Sequence, residues 1–431
     1  MNPSPPAAGP GVPSLRSLLE ADAAVPGQQQ APRPAAVPLP EDLVPAPPPT
    51  TFEPRWSGLG ASLPPDVALL CVTSTTSSHG PALSLTWHHA GASESAPQEP
   101  LVPELPVRSL SLASLVEEAA SAPQSKTPWQ DAYYEMMNSW SAQDRLHSWI
   151  GELTAAELPR LVVWDNTAHE IPWELVYHDP PRGQAGWLGA LMPVIRWTSV
   201  HDGELVGRLP SHGNASEGGL LMVEDDSLRA KAQIFQPYLS EPAFETLDTL
   251  LHRLAEPTGP LGLLLIRCHG RYAPEARSFT LGGFNLNRVT AFPMTALRDS
   301  GVPVLLNACS SGRTIQDTRG MGRPVRSFVE VFLRKGAGAV IAVAGEVGVE
   351  HSEDFASRLL EDAGTAATNL AGALQDHRRH YARRTCEPSG GETDPRREED
   401  FKLFFVAFLY LYFGHPDASI RMLRNDEGAA S

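Results

Sequence analysis

The sequence predicts an α/β fold, a mainly parallel central sheet flanked by helices. Two observations point there. Several short runs are apolar from end to end, among them LVVWD (161–165), GLLLIRC (262–268), VPVLLNA (302–308) and AVIAVAG (339–345), a pattern that suits strands covered on both faces. Stretches of helical period separate these runs, and strand–helix alternation implies crossover connections in a parallel sheet.

The elements follow in chain order. Fourteen prolines fall in the first 50 residues, in stretches without apolar periodicity, so residues 1–55 are expected to form a disordered leader. VALLCVTSTTSSHGPALSLTWHHA (67–90) reads as a hairpin, and 108–121 and 129–155 read as helices. The second of these carries Tyr133, Met137, Trp140, Leu146, Trp149 and Leu153 at three- and four-residue spacing, a stripe that belongs to the core. Residues 59–150 would thus form a small amino-terminal α+β region. Beyond it come strands at LVVWD and GLLMVED (219–225), a mostly helical segment from Leu228 to Ala255, and strands at GLLLIRC and VPVLLNA. VRSFVEVFLRKGAG (325–338) is a helix whose end is marked by Lys335 and a left-handed Gly336. After AVIAVAG, helices at 352–363 and 368–383 precede LFFVAFLYLYF (403–413), read as a buried strand. Residues 421–431 would be a flexible tail.

Composition narrows the function. A formal charge of −16 argues against nucleic acid, whose backbone is neutralised by Lys and Arg. No apolar run reaches the length of about 20 residues needed to cross a bilayer, and no secretory leader pattern opens the chain, so a soluble, cytoplasmic protein is expected. The four cysteines, Cys71, Cys268, Cys309 and Cys386, have no C-x-x-C spacing, so neither a metal site nor a disulfide framework is indicated. No cofactor is expected either.

Two strand ends carry the chemistry. GLLLIRC runs into His269 and Gly270, and VPVLLNA runs into Cys309 and then Ser-Ser-Gly312. In an open parallel sheet, ligands bind beyond the carboxyl ends of the strands, so both side chains can reach one crevice. A lone buried cysteine is usually a small hydrophobe and a lone histidine usually just hydrogen-bonded; the shared context of the two favours chemistry. A thiol is mostly protonated at neutral pH, and a neighbouring imidazole supplies the thiolate that attacks. The N–H groups of Gly270 and of Cys309 itself are candidates to hold an oxyanion, and Gly312 would let the chain turn beneath the nucleophile. Cys268 alternates to the other face of its strand and is expected in the core.

The paired I-R-C-H-G-R and L-L-N-A-C-S-S-G segments resemble the His-Gly and A-C-x-x-G signatures of caspase-like cysteine peptidases, and more closely those of the CHAT domain, a bacterial branch of that clan related to separase. Three further segments are similar to that family's elements: H-E-I-P-W-E-L-V-Y (169–177), F-L-R-K-G-A-G-A-V-I (332–341) and A-F-L-Y-L-Y-F-G-H-P (407–416). The chain departs from the pattern at A-G-E-V-G-V-E-H-S (344–352) and at His415, where the family usually has aspartate. The resemblance implies a caspase-like three-layer sandwich over 151–420, and a cysteine endopeptidase with His269 as general base and acid and Cys309 as nucleophile. It also implies a protein substrate, an activating protein partner and a part in bacterial antiviral defence or cell death. By likeness to relatives that cut after basic residues, Asp225, Asp226 and Asp317 are placed by sequence either to contact a basic side chain of the substrate or to lie on a solvated surface, and Asn307 stands where metacaspases carry aspartate. The rival reading is a catalytically silent scaffold that binds partners.

Overall fold

A computed structural model of the chain describes residues 66–425 except 78–79, 90–99, 102–110, 123–124, 142, 156–159, 166, 168, 181–183, 198–214, 227, 229–233, 274–277, 317–324 and 387–394. The leader at 1–55 therefore lies outside the described residues. Among the described residues, twelve strands form the main sheet: β1 (Val67–Ser77), β2 (Gly80–His89), β3 (Pro100–Leu101), β4 (Arg160–Asp165), β5 (Val194–Trp197), β6 (Ala215–Glu224), β7 (Leu261–Arg267), β8 (Val304–Leu306), β9 (Ala339–Val343), β10 (Thr368–Asn369), β11 (Tyr410–Gly414) and β12 (Ser419–Met422). Their spatial order is β10-β12-β6-β7-β8-β9-β11-β5-β4-β1-β2-β3. The run from β6 to β9 is parallel, and β11 is antiparallel to β9.

The apolar runs become strands because helices cover both faces. Every residue of β7, β8 and β9 is buried. The longer helices are α1 (Leu112–Ser121), α2 (Pro128–Asn138), α3 (Asp144–Ala155), α4 (Val349–Thr365), α5 (Leu370–Cys386) and α6 (Pro395–Phe408). The stripe read as core is core: Tyr133, Trp140, Leu146, Trp149 and Leu153 are all buried. Four tryptophans, Trp164, Trp173, Trp187 and Trp197, are almost fully enclosed, each worth about 1.5–3 kcal/mol or more of apolar burial. Three of them satisfy the indole N–H inside: Trp173 donates to Asp165 Oδ2 (2.9 Å), Trp187 to Tyr133 Oη (3.2 Å) and Trp197 to the Gly414 carbonyl (3.0 Å).

The hairpin of β1 and β2 joins this sheet, since β1 lies parallel beside β4. The position 150/151 falls within α3, so the sheet continues across it. Gly336 has φ +108°, and a Cβ there would lie 2.4 Å from Arg298 Cα; only glycine fits.

Three expectations need correction. Residues 403–413 divide into the end of α6 and the strand β11, because a run buried on all sides carries no period by which helix and strand differ. Among its described residues, the segment 228–255 holds a short 3-10 turn, Gln236–Tyr238, and a helix limited to Leu247–Arg253; Pro237 lacks the N–H that a longer helix would use. The tail begins later than 421, since β12 extends to Met422 against β6.

Candidate active site

His269 and Cys309 each stand just past the end of a strand, and the two strands are neighbours. β8 pairs with β7 in parallel, Val304 opposite Leu264, Leu305 opposite Leu265 and Leu306 opposite Ile266. The Asn307 N–H extends the ladder to the Ile266 carbonyl at 2.9 Å. The offset is 306 − 266 = 40, and His269 and Cys309 each follow the last paired residue of their strand by three positions. Adjacent strands run about 4.8 Å apart. His269 is exposed and Cys309 half-buried, so both open towards solvent from one rim of the sheet.

The backbones touch there. A Cβ on residue 270 would lie 1.9 Å from the Cys309 carbonyl oxygen, so only glycine allows the chain after the histidine to pass so close to the cysteine. Gly270 opens a hairpin, Gly270–Ala273 against Ser278–Leu281. The Gly282 N–H donates to the His269 carbonyl at 2.8 Å. Gly270 and Leu281 therefore form a non-hydrogen-bonded pair, and the Gly270 N–H points out of the hairpin.

The turn after Cys309 is built differently from the sequence expectation. Ser310, not Gly312, takes the left-handed conformation, φ +58°. Gly312 serves packing instead, since a Cβ there would sit 3.3 Å from the Val343 carbonyl group. Bonds from the Ser310 N–H to the Gly345 carbonyl and from the Gly312 N–H to the Val343 carbonyl, both 2.8 Å, tie the turn to the end of β9. Cys309 Sγ lies 3.9 Å from the Val347 carbonyl.

Below the rim lies a buried polar layer. Arg267 pairs with Glu224 and, at 2.8 Å, with Glu353, and all three are enclosed. Asn307 donates to the Ser352 carbonyl (2.9 Å), and Tyr410 Oη lies 3.3 Å from Asn307 Oδ1. Burial pushes the Tyr410 phenol up, so it stays protonated and able to donate.

The other candidates separate. Asp225 and Asp226 directly follow β6, next to β7; the Asp225 N–H donates to the Arg267 carbonyl at 3.0 Å, and Asp226 is exposed. Asp317 lies outside the described residues. Cys268 is core, as its alternation predicts, and burial pushes its thiol up to about 12. Cys71 is buried too, and burial raises its thiol. Cys386 is exposed at the end of α5. Among the described residues no group of three or more His, Cys, Asp or Glu is arranged to hold a metal, and no helix is long and apolar enough to cross a membrane.

Residue-by-residue reading of the sequence missed a set of contacts around the loop after the cysteine. Glu170, with φ +49°, accepts from the Thr314 N–H (2.7 Å) and the Thr314 hydroxyl (3.2 Å) and pairs with Arg313 at 2.9 Å. The Arg313 guanidinium sits 4.1 Å above the ring of Tyr272, whose hydroxyl donates to the Thr314 carbonyl (3.0 Å). A cavity beside this loop is lined by Asp165, Glu170, Arg196, Arg313 and Glu330, among others. The only available signal was position, since Arg313 and Thr314 follow the S-S-G directly and Glu170 stands just before the P-W-E element.

No curated protein matches the chain. Among solved structures it resembles separase in two crystal structures of the Saccharomyces cerevisiae separase–securin complex, each with a TM-score of 0.50 and 11% sequence identity. The matches cover 84% and 85% of this chain but only 30% and 31% of the separase chains, so the chain spans about a third of the length of those relatives. At that identity the likeness shows the fold: a large, mostly parallel central sheet flanked by helices, as in separase. The family model for the CHAT domain matches residues 142–404, which is more than half of the 431 residues, and the chain therefore belongs to the CHAT domain family.

Proposed function

We propose that this chain is a cysteine endopeptidase that cuts a protein partner through a His269–Cys309 dyad. The observation that carries the reading is the register of β7 and β8, whose offset of 40 residues equals the separation of the histidine from the cysteine. Membership of the CHAT family, with its separase-like fold, supports it.

In this reading His269 takes the thiol proton and the thiolate attacks the scissile carbonyl carbon, so that a C–S bond forms and the carbonyl oxygen takes the charge. The N–H groups of Gly270 and Cys309 hold that oxyanion. His269 returns the proton to the departing amine, leaving a thioester. Water, deprotonated by the same imidazole, then releases the acid and restores the thiol. Asp225, Asp226 and Asp317 supply negative charge for an Arg or Lys side chain on the amino-terminal side of the cut. The setting, a cytoplasmic bacterial defence or cell-death pathway switched on by a protein partner, comes from family analogy; separase bound to securin offers a parallel for such a partner.

The test is a fluorogenic peptide library presented to the wild type, Cys309→Ala and His269→Ala. Turnover by the wild type alone, with preference for basic residues before the cut, supports the reading. Preference for acidic residues there removes the role of the aspartates. If no variant cuts peptides or proteins while wild type and Cys309→Ala capture the same partner, the scaffold reading stands.

A further inference from the structure

We infer that Glu170 is a positioning residue for the dyad, locking the nucleophile loop and the histidine hairpin into one geometry. This rests on the proposed peptidase reading and extends it to a residue outside the two strand ends.

Three separate stretches of chain meet around Arg313 and Thr314. Glu170 follows β4, Arg313 and Thr314 follow the nucleophile turn, and Tyr272 lies three residues after His269. One carboxylate oxygen takes both Thr314 donors and the other faces Arg313 Nε at 2.9 Å. Arg313 in turn lies over the Tyr272 ring at 4.1 Å, and the Tyr272 hydroxyl closes the circuit on the Thr314 carbonyl at 3.0 Å. Moving the cysteine loop away from the histidine hairpin therefore breaks contacts at Thr314, Arg313 and Tyr272 together.

Backbone strain points to the same place. Only three non-glycine residues among those described have positive φ: Glu170, Met294 and Ser310. Two of the three flank this contact, one aiming the carboxylate and the other following the nucleophile directly. Such conformations are unfavourable for a residue with a side chain and persist where the surroundings over-determine them. The Glu170 and Arg313 side chains are 18% and 11% exposed, so the pair is shielded enough to hold its geometry without being cut off from the site.

The dyad needs this because proton transfer tolerates little slack, and a misplacement of about 1 Å costs on the order of 100-fold in rate. Glu170 touches no reacting atom in this arrangement. It acts through Thr314 and Arg313 on Cys309, and through Arg313 and Tyr272 on His269.

The experiment compares the full-length wild type with Glu170→Ala, Glu170→Gln and Arg313→Met. It reads kcat and KM on the best library peptide, and the pH dependence of Cys309 alkylation by iodoacetamide, with Cys386 as internal reference. Glu170→Ala is expected to lower kcat at least about tenfold with KM within about threefold, and to move the Cys309 alkylation midpoint upward. Glu170→Gln keeps an acceptor for Thr314 but not the charge that faces Arg313, and is expected to recover part of the lost kcat. Should Glu170→Ala fail to fold, Arg313→Met carries the same expectation in kcat and in alkylation. Wild-type kcat and an unmoved alkylation midpoint in the alanine and methionine variants overturn the inference, as does equal loss in a folded Glu170→Gln. A wild type without turnover whose alkylation midpoint is still moved by Glu170→Ala overturns the peptidase reading and leaves the clamp standing.

Discussion

Gly270 and Cys309 meet backbone to backbone: the space a Cβ would take on residue 270 lies 1.9 Å from the Cys309 carbonyl oxygen. No side-chain rotation relieves a clash between a Cβ and a carbonyl. We predict that Gly270→Ala forces the hairpin and the cysteine turn apart. Overpacking of this kind destabilises by roughly 1–3 kcal/mol. Peptide turnover should fall at least about 100-fold, as expected of a displaced reacting pair. A melting curve together with a peptidase assay checks both, and a fully active Gly270→Ala would show that the contact does not govern the site.

The four thiols should separate by burial. Enclosure pushes Cys268 up to about 12 and raises Cys71 as well, and a protonated, shielded thiol does not alkylate. Brief labelling of the native protein at neutral pH, followed by peptide mass mapping, should mark Cys309 and Cys386 and spare the other two. Labelling of Cys268 ahead of Cys309 would contradict the placement of the two residues.

Arg267 holds two buried carboxylates, Glu224 and Glu353, and its side chain is only 1% exposed. Removing the cation takes a counter-charge from both acids in a poor solvent for charge. Arg267→Met should destabilise the fold by about 3–5 kcal/mol, whereas replacing all three members with apolar side chains of similar volume should recover most of the loss. Urea unfolding measures both variants, and equal loss in the two would count against the ion-pair account.

Acid stability should report His377. Burial, with Arg358 and Arg378 nearby, lowers this histidine from 6.5 to about 3. The folded value lies below the unfolded one, so the unfolded chain binds the proton first as pH falls. The contribution to stability is intact above about 6.5, drops by up to roughly 1.4 kcal/mol per pH unit below it, and is spent by about pH 3. His377→Phe, which suits a ring already packed against Phe355 and Tyr381, should flatten stability between pH 6 and pH 4 relative to wild type. Parallel pH profiles in the two proteins would refute the assignment.

What the sequence made legible, and what it hid, follows from burial. β7, β8 and β9 could be read because strands enclosed on both faces become uninterrupted apolar runs between helices. His269 and Cys309 stand out as candidates because each directly follows such a run. The same rule failed at 403–413, where helix and strand are equally enclosed and share one apolar composition. It was also silent on Ser310, since serine carries no mark of a left-handed backbone. Glu170 was hidden for another reason. Its partners, Arg313 and Thr314, lie more than 140 residues further on, and only the closing of the sheet brings them together.

The sheet order bears on which pieces of the chain can stand alone. Val67–Leu101 supplies one rim and Thr368–Met422 reaches the other, while Tyr410–Gly414 is wedged between Ala339–Val343 and Val194–Trp197. A fragment trimmed to the family match at 142–404 would lose that wedge and bare the flank of Arg160–Asp165, leaving two half-sheets with unpaired backbone groups free to recruit other molecules. Expression boundaries chosen by homology would thus cut through the structural unit, and soluble material should require the chain from before Val67 to beyond Met422.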